Sequence, residues 1–215
     1  AAAVGRPDFF IFGEVYSSNV SLLSHYPTQT GMSAVLDFGF QERVRNYVAN
    51  GGAATELQAL FANDDYYTDA DSNAYSLPTF LGNHDMGRIG YFLKNADPER
   101  SDADLLARSR LAHALMAFSR GVPVVYYGDE QGFVGDGGDK DARQDMFPSQ
   151  VATYNDDDLI GTDATTADDN FDPTHPLYAS IADYTALRDA HKALRTGAQI
   201  ERYSSDQAGI YAFSR

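Results

Sequence analysis

Four times in this chain a short apolar run ends on a glycine, and in three of them polar residues follow at once. Residues 9–12 (FFIF) precede Gly13-Glu14, residues 35–38 (VLDF) precede Gly39, residues 77–81 (LPTFL) precede Gly82-Asn83-His84-Asp85, and residues 122–127 (VPVVYY) precede Gly128-Asp129-Glu130. Runs this short and this apolar suit strands of a parallel sheet buried on both faces. Parallel neighbours need long crossovers, and the segments between the runs carry helical spacing. Helices are expected over 41–48, 55–61, 104–119 and 176–194. In the third, Leu105, Leu106, Leu111, Leu115, Met116 and Phe118 form the predicted buried face, with Ser101-Asp102 as cap and Gly121 as stop. Pro176 opens the fourth, which ends near Gly197. Alternating strand and helix is the pattern of βα units.

The chain then changes character. Residues 199–203 and 209–213 alternate as two strands of a hairpin, with a turn over 204–207. The expected architecture is α/β: about four βα units over 1–194, then the first strands of a small antiparallel β domain over 195–215. Four units amount to half of a (β/α)8 barrel. Residues 135–172, dense in Asp, Gly and Thr, lack periodicity and are expected to form a long functional loop on one face.

Composition removes several function classes. With 43% hydrophobic and 13% aromatic residues the chain is not disordered. No apolar run approaches the ~20 residues of a membrane helix, so no membrane partner is expected. The first ten residues, AAAVGRPDFF, lack the features of a secretory signal. A net charge of −15 repels phosphate backbones, which argues against nucleic acid as a partner. Lysine occurs only at Lys94, Lys140 and Lys192, so the acidity reflects either adaptation to salt or a preference for arginine. Without cysteine, disulfides and thiolate metal sites are excluded.

Barrel enzymes keep their chemistry just past the C-terminal ends of the strands, where Glu14, Asp85 and Asp129-Glu130 fall. On placement alone each has a second reading. Glu14 is then a surface carboxylate, Asp85 an N-cap, and Asp129 and Glu130 caps or braces of the mouth. Tyr16 and Phe133 are either sugar-stacking rings or ordinary packing. Asp136, Asp139, Asp141 and Asp145 are either ligands for Ca²⁺ or a solvated acidic loop; their spacing does not match an EF-hand, so the solvated loop is expected and no metal ligand is assigned. His25, His113, His175 and His191 show no metal spacing, and His113 is expected to be structural.

Taken in order, FFIFGEVY, SAVLDFGFQE, FLGNHDMGR and RGVPVVYYGDEQGF resemble the later conserved regions of the alpha-amylase family of glycoside hydrolases. HPLYASIADYTALRDAHKAL followed by AGIYAF is similar to that family's last barrel helix leading into its C-terminal β domain. The resemblance covers nearly the whole chain. It implies strands five to eight of a TIM barrel and an oligo- or polysaccharide substrate, namely starch-like α-glucans cleaved with retention. Glu14 is then the general acid/base and Asp85 the carboxylate that holds the sugar, with Asn83 and His84 as accompanying contacts. The loop GDGGDKDARQDMF resembles one that touches sugars in relatives, which makes Asp141 and Arg143 candidates.

The family's nucleophilic Asp lies before the GE motif, at the end of the fourth strand. Only Asp8 is available here, at the wrong end of the Glu14 strand. The expectation is therefore a fragment, with the N-terminal half of the barrel as its missing partner. The chain itself needs no cofactor on this reading, and any calcium belongs to the missing part. A secreted or periplasmic place is favoured. The rivals are a non-catalytic glycan-binding scaffold and a transglycosylase of the same family.

Overall fold

The computed structural model describes Gly5 and residues 9–215; Asp8 lies outside the described residues. The fold is α/β. Four very short strands, β1 (Phe12–Gly13), β2 (Ala34–Val35), β3 (Pro78–Thr79) and β4 (Val122–Pro123), stand where the apolar runs predict them. β1 pairs in parallel with β2, and β3 in parallel with β4. A single bond joins the pairs, from Asp37 N–H to the Pro78 carbonyl at 2.9 Å.

Burial corrects one expectation. β2 and β3 are buried on both faces, as anticipated, but Phe9, Phe10, Ile11 and Phe12 are all exposed, as are Val122, Val124, Val125 and Tyr127. β1 and β4 each have one neighbour only among the described residues, so their outer sides meet no partner.

The predicted helices appear as α2 (Phe38–Asn50), α3 (Ala54–Ala62), α5 (Asp102–Phe118) and α7 (Pro176–Ala190). The last is interrupted at His191, and α8 (Lys192–Thr196) carries the chain onward. Three further helices escaped the sequence reading: α1 (Val20–Gln29), α4 (Ile89–Ala96) and the single turn α6 (Ala152–Asn155). In α5 the buried face is Leu105, Ser109, Ala112, His113, Leu115, Met116 and Ala117; Leu111 points to solvent. Small residues at Ser109 and Ala112 let α5 approach its neighbours closely.

The main core joins α2 to α5 through Phe40, Val44, Leu57, Leu93, Leu105 and Met116. Val134 and Ile160 extend it, so the long segment 135–172 is partly anchored rather than an external excursion. β5 (Ile200–Ser204) and β6 (Tyr211–Ser214) form the expected antiparallel hairpin, with an irregularity between Glu201 and Tyr203. It sits on the start of α3, where Ala54 N–H donates to the Gln207 carbonyl and Thr55 N–H to that of Ser205.

Candidate active site

The turn after β3 is the best-defined polar feature at the strand ends. Asn83 and Gly87 exchange two backbone bonds of 3.1 Å, closing a tight loop over His84, Asp85 and Met86. Asn83 Oδ1 accepts from Asp85 N–H at 3.0 Å and from Met86 N–H at 2.9 Å. Its carbonyl oxygen is thus committed to building the turn. α4 begins only at Ile89, with Arg88 at its N-cap position and no side-chain cap, so Asp85 is not a capping residue. Its carboxylate is turned outward and half exposed. His84 Nε2 and Arg143 Nη2 each lie 3.3 Å from Asp85 Oδ1.

The loop after β4 is laid on this turn. Asp139, at φ 52, donates its N–H to the Asp85 carbonyl at 3.1 Å. Gly138 passes so close that a Cβ there would come within 2.3 Å of the same oxygen, a contact only glycine avoids. Arg143 then bridges Asp85 and Asp139. Asp141 is half-buried and shares this loop, but its bonds run through its backbone: N–H to the Gly138 carbonyl, and carbonyl from Gln144 Nε2. Among the described residues it touches neither Asp85 nor Arg143 by hydrogen bond or ion pair.

Beneath both loops lies Arg88, fully buried. Its Nε donates to Gln144 Oε1 at 2.7 Å, and its Nη1 to the Tyr127 carbonyl at 2.5 Å and Asp129 Oδ1 at 3.2 Å. The guanidinium sits over the rings of Tyr126, Tyr127 and Phe133, which return part of its lost hydration. Burial pushes the Asp129 carboxyl above the usual carboxylate range, against the pull of Arg88. Asp129 is therefore a brace beneath the mouth, one of the two roles its placement allowed. Glu130 Oε2 accepts the Gly128 N–H at 2.8 Å. Phe133 is core, not a sugar platform. Arg88 stood in the FLGNHDMGR string without an assigned role, and nothing in its local sequence marked it as buried.

Glu14 follows β1 directly and is exposed, with no hydrogen bond to the described residues. No direct contact joins it to Asp85. The two loops are connected through rings: Tyr16 packs on Phe38 at 4.7 Å between centroids, and Phe38 meets Phe80 edge-on at 5.1 Å. A cleft of about 380 Å³ runs between them, lined by Tyr16, Phe38, Gln41, Glu42, Arg45 and Met86 among others. Tyr16 remains exposed on this cleft.

The alpha-amylase catalytic-domain model matches residues 1–197. The chain belongs to the alpha-amylase family. It is 56% identical over 215 residues to an alpha-amylase of Streptomyces lividans, covering 100% of this chain and 23% of that protein. It is 27% identical over 207 residues to a beta/alpha-amylase of Paenibacillus polymyxa, covering 96% of this chain and 14% of that one. The crystal structure of an Anoxybacillus alpha-amylase superposes with a TM-score of 0.72 at 21% identity, over 97% of this chain and 38% of that structure. The chain thus spans about a quarter or less of these two curated amylases, and the likeness in structure bears on fold.

The acidic loop does not gather its four aspartates. Asp139 pairs with Arg143, and Asp145 accepts from Ser149 Oγ at 2.7 Å. His113 is buried in α5 and His175 caps α7, accepting the Leu177 N–H.

Proposed function

We propose that this chain is the second half of a (β/α)8 catalytic barrel with the first strands of its β domain. The protein it belongs to hydrolyses α-glycosidic bonds of starch-like glucans with retention. The observation that carries this reading is the Asp85 turn, whose carboxylate is presented at the mouth by Asn83, His84 and Arg143. An exposed carboxylate held by donors beneath it keeps its remaining oxygen lone pairs for sugar hydroxyls.

In the proposed reaction Glu14 protonates the glycosidic oxygen as the bond to the anomeric carbon breaks, and a second carboxylate attacks that carbon. Glu14 then takes a proton from the water that releases the sugar. Asp85 accepts hydroxyl hydrogen bonds that tighten as the ring distorts. Asp141 and Arg143 are proposed to line the sugar path, and Tyr16 to stack on a sugar face. The attacking carboxylate is proposed to come from the other half of the barrel, whose strands would cover β1 and β4. The exposed apolar edges support this pairing, since such edges otherwise aggregate. Polymeric substrates do not cross membranes, which favours a secreted or periplasmic setting.

Titration calorimetry on the full-length protein tests the substrate class. Maltooligosaccharides should bind and cellulose fragments should not. Binding of cellulose fragments alone would refute the α-glucan reading.

A further inference from the structure

We infer that Asp136, Asp156 and Asp157 form a calcium site that ties together the two ends of the segment carrying Asp141 and Arg143. One carboxylate oxygen from each of the three lies within 4.8 Å of the others, close enough to share one ion at Ca–O distances of about 2.3–2.6 Å. Asp136 and Asp156 are exposed, whereas Asp157 is only 8% exposed. Asp157 Oδ2 is shut off from solvent and has no hydrogen-bond partner among the described residues. Burying a carboxylate oxygen unpartnered, beside two more carboxylates, in a chain of net charge −15, is strongly unfavourable unless a cation joins it.

Among the described residues no cationic side chain fills the position. Lys94 reaches Asp158 at 3.5 Å, and Arg143 is engaged with Asp85 and Asp139. The remaining choices for this oxygen are a proton or a metal ion. A set made only of carboxylates selects a hard cation over a transition metal. Ligands from two loop segments, with two of the three open to water, suit the irregular shell of calcium better than the strict octahedron of magnesium.

The consequence reaches the mouth. Asp136 leads into the turn that holds Asp139 and Arg143 on Asp85. Asp156 and Asp157 end the segment whose Tyr154 hydroxyl donates to the Lys140 carbonyl at 2.7 Å. A cation between them fixes both ends of the Arg143 loop. Binding of the ion does not depend on the proposed hydrolase reading; only an effect on turnover would.

The test is calcium binding to the chelator-treated full-length protein, measured by calorimetry for the parent, Asp136→Asn and Asp157→Asn. The parent should bind one equivalent more than either variant, and added calcium should raise its Tm more than theirs. In chelator, Asp157→Asn should melt at or above the parent, because it removes a buried, repelled charge. Asp136→Asn, at an exposed position, guards against misfolding of the buried variant. Equal stoichiometry in all three proteins would overturn the site. Magnesium binding with equal stoichiometry and equal thermal gain would overturn its assignment to calcium.

Discussion

Arg143 Nη2 lies 3.3 Å from Asp85 Oδ1 and 3.1 Å from Asp139 Oδ1, so one guanidinium fastens the loop after β4 to the turn after β3. The pair is nearly half exposed on both sides. Its contribution to folding is therefore small, and its consequence is for the direction in which Asp85 points. Arg143→Ala should change stability by less than about 1 kcal/mol. It should lower kcat/KM on maltooligosaccharides by about 10–10²-fold, the cost of a misplaced polar group. Arg143→Lys should recover part of the loss. Steady-state kinetics and urea unfolding on the full-length protein check both halves, and unchanged kinetics in Arg143→Ala would remove this residue from the site.

Stability rests more on a second arginine. Arg120, fully buried, donates through Nη1 to Asp37 Oδ2 at 2.5 Å and through Nε to Asp64 Oδ1 at 2.8 Å. Its burial opposes the charge, but the two carboxylates prevail and raise its pKa. Asp37 also caps α2, accepting the Phe40 N–H at 2.9 Å. Asp37→Asn keeps a cap acceptor yet leaves the buried cation with less compensation, which should cost about 3 kcal/mol. Asp37→Ala should cost ~1 kcal/mol more, the usual worth of the cap. Denaturant midpoints of the two variants measure the difference; equal midpoints would mean that the cap contributes nothing.

The two buried arginines, Arg88 and Arg120, also show where sequence reading stops. The strands were legible because an apolar run broken by glycine is a local signal, and α5 because its periodicity spans several turns. Arg88 finds Gln144 at a separation of 56 residues, and Arg120 finds Asp37 at 83. Pairings that distant leave no mark in spacing. α1 was hidden by Pro27, which normally breaks a helix but here lies near its end. α4 was hidden because IGYFLKNA follows the NHD string directly and is short. Asp85 and its partner Arg143 were legible only through the ordered motifs. Placement alone left Asp85 as a cap, and the cap reading fails because α4 starts four residues later. The exposure of β1 was illegible too, since FFIF looks the same whether or not another strand covers it.

His113 provides a pH test. It is fully buried in α5, with Nδ1 2.8 Å from the Ser109 carbonyl and no partner for Nε2 among the described residues. Burial lowers its pKa to about 4 from an ordinary 6.5, outweighing the Ser109 contact. The unfolded chain takes up this proton below pH 6.5, whereas the folded chain stays neutral until about pH 4. Stability from this group is therefore present above pH 6.5 and is lost as pH falls toward 4. Across that window the parent should lose up to about 3 kcal/mol relative to His113→Met. Denaturant unfolding of both proteins at pH 7, 5.5 and 4.5 gives the difference directly. A constant gap between parent and variant would mean that His113 titrates alike in both states.

Glu14 carries the strongest catalytic prediction because its proposed role separates from binding. It follows β1 two residues before Tyr16, exposed and free of hydrogen bonds to the described residues, so its carboxyl is available to a leaving oxygen. Glu14→Gln keeps the shape and removes the transferable proton. In the full-length protein kcat on maltotriose should fall by ~10²-fold or more, the usual worth of a general acid. KM should change little, since the lost interaction belongs to the transition state. An aryl glycoside whose leaving group departs without protonation should lose less in the glycosylation step. Equal losses on the two substrates would take the acid role from Glu14. The 215 residues alone should show no hydrolysis, because the attacking carboxylate is proposed to lie in the other half of the barrel. Turnover by these residues alone, abolished by Asp85→Asn but not by Glu14→Gln, would reverse the assignment and make Asp85 the attacking group.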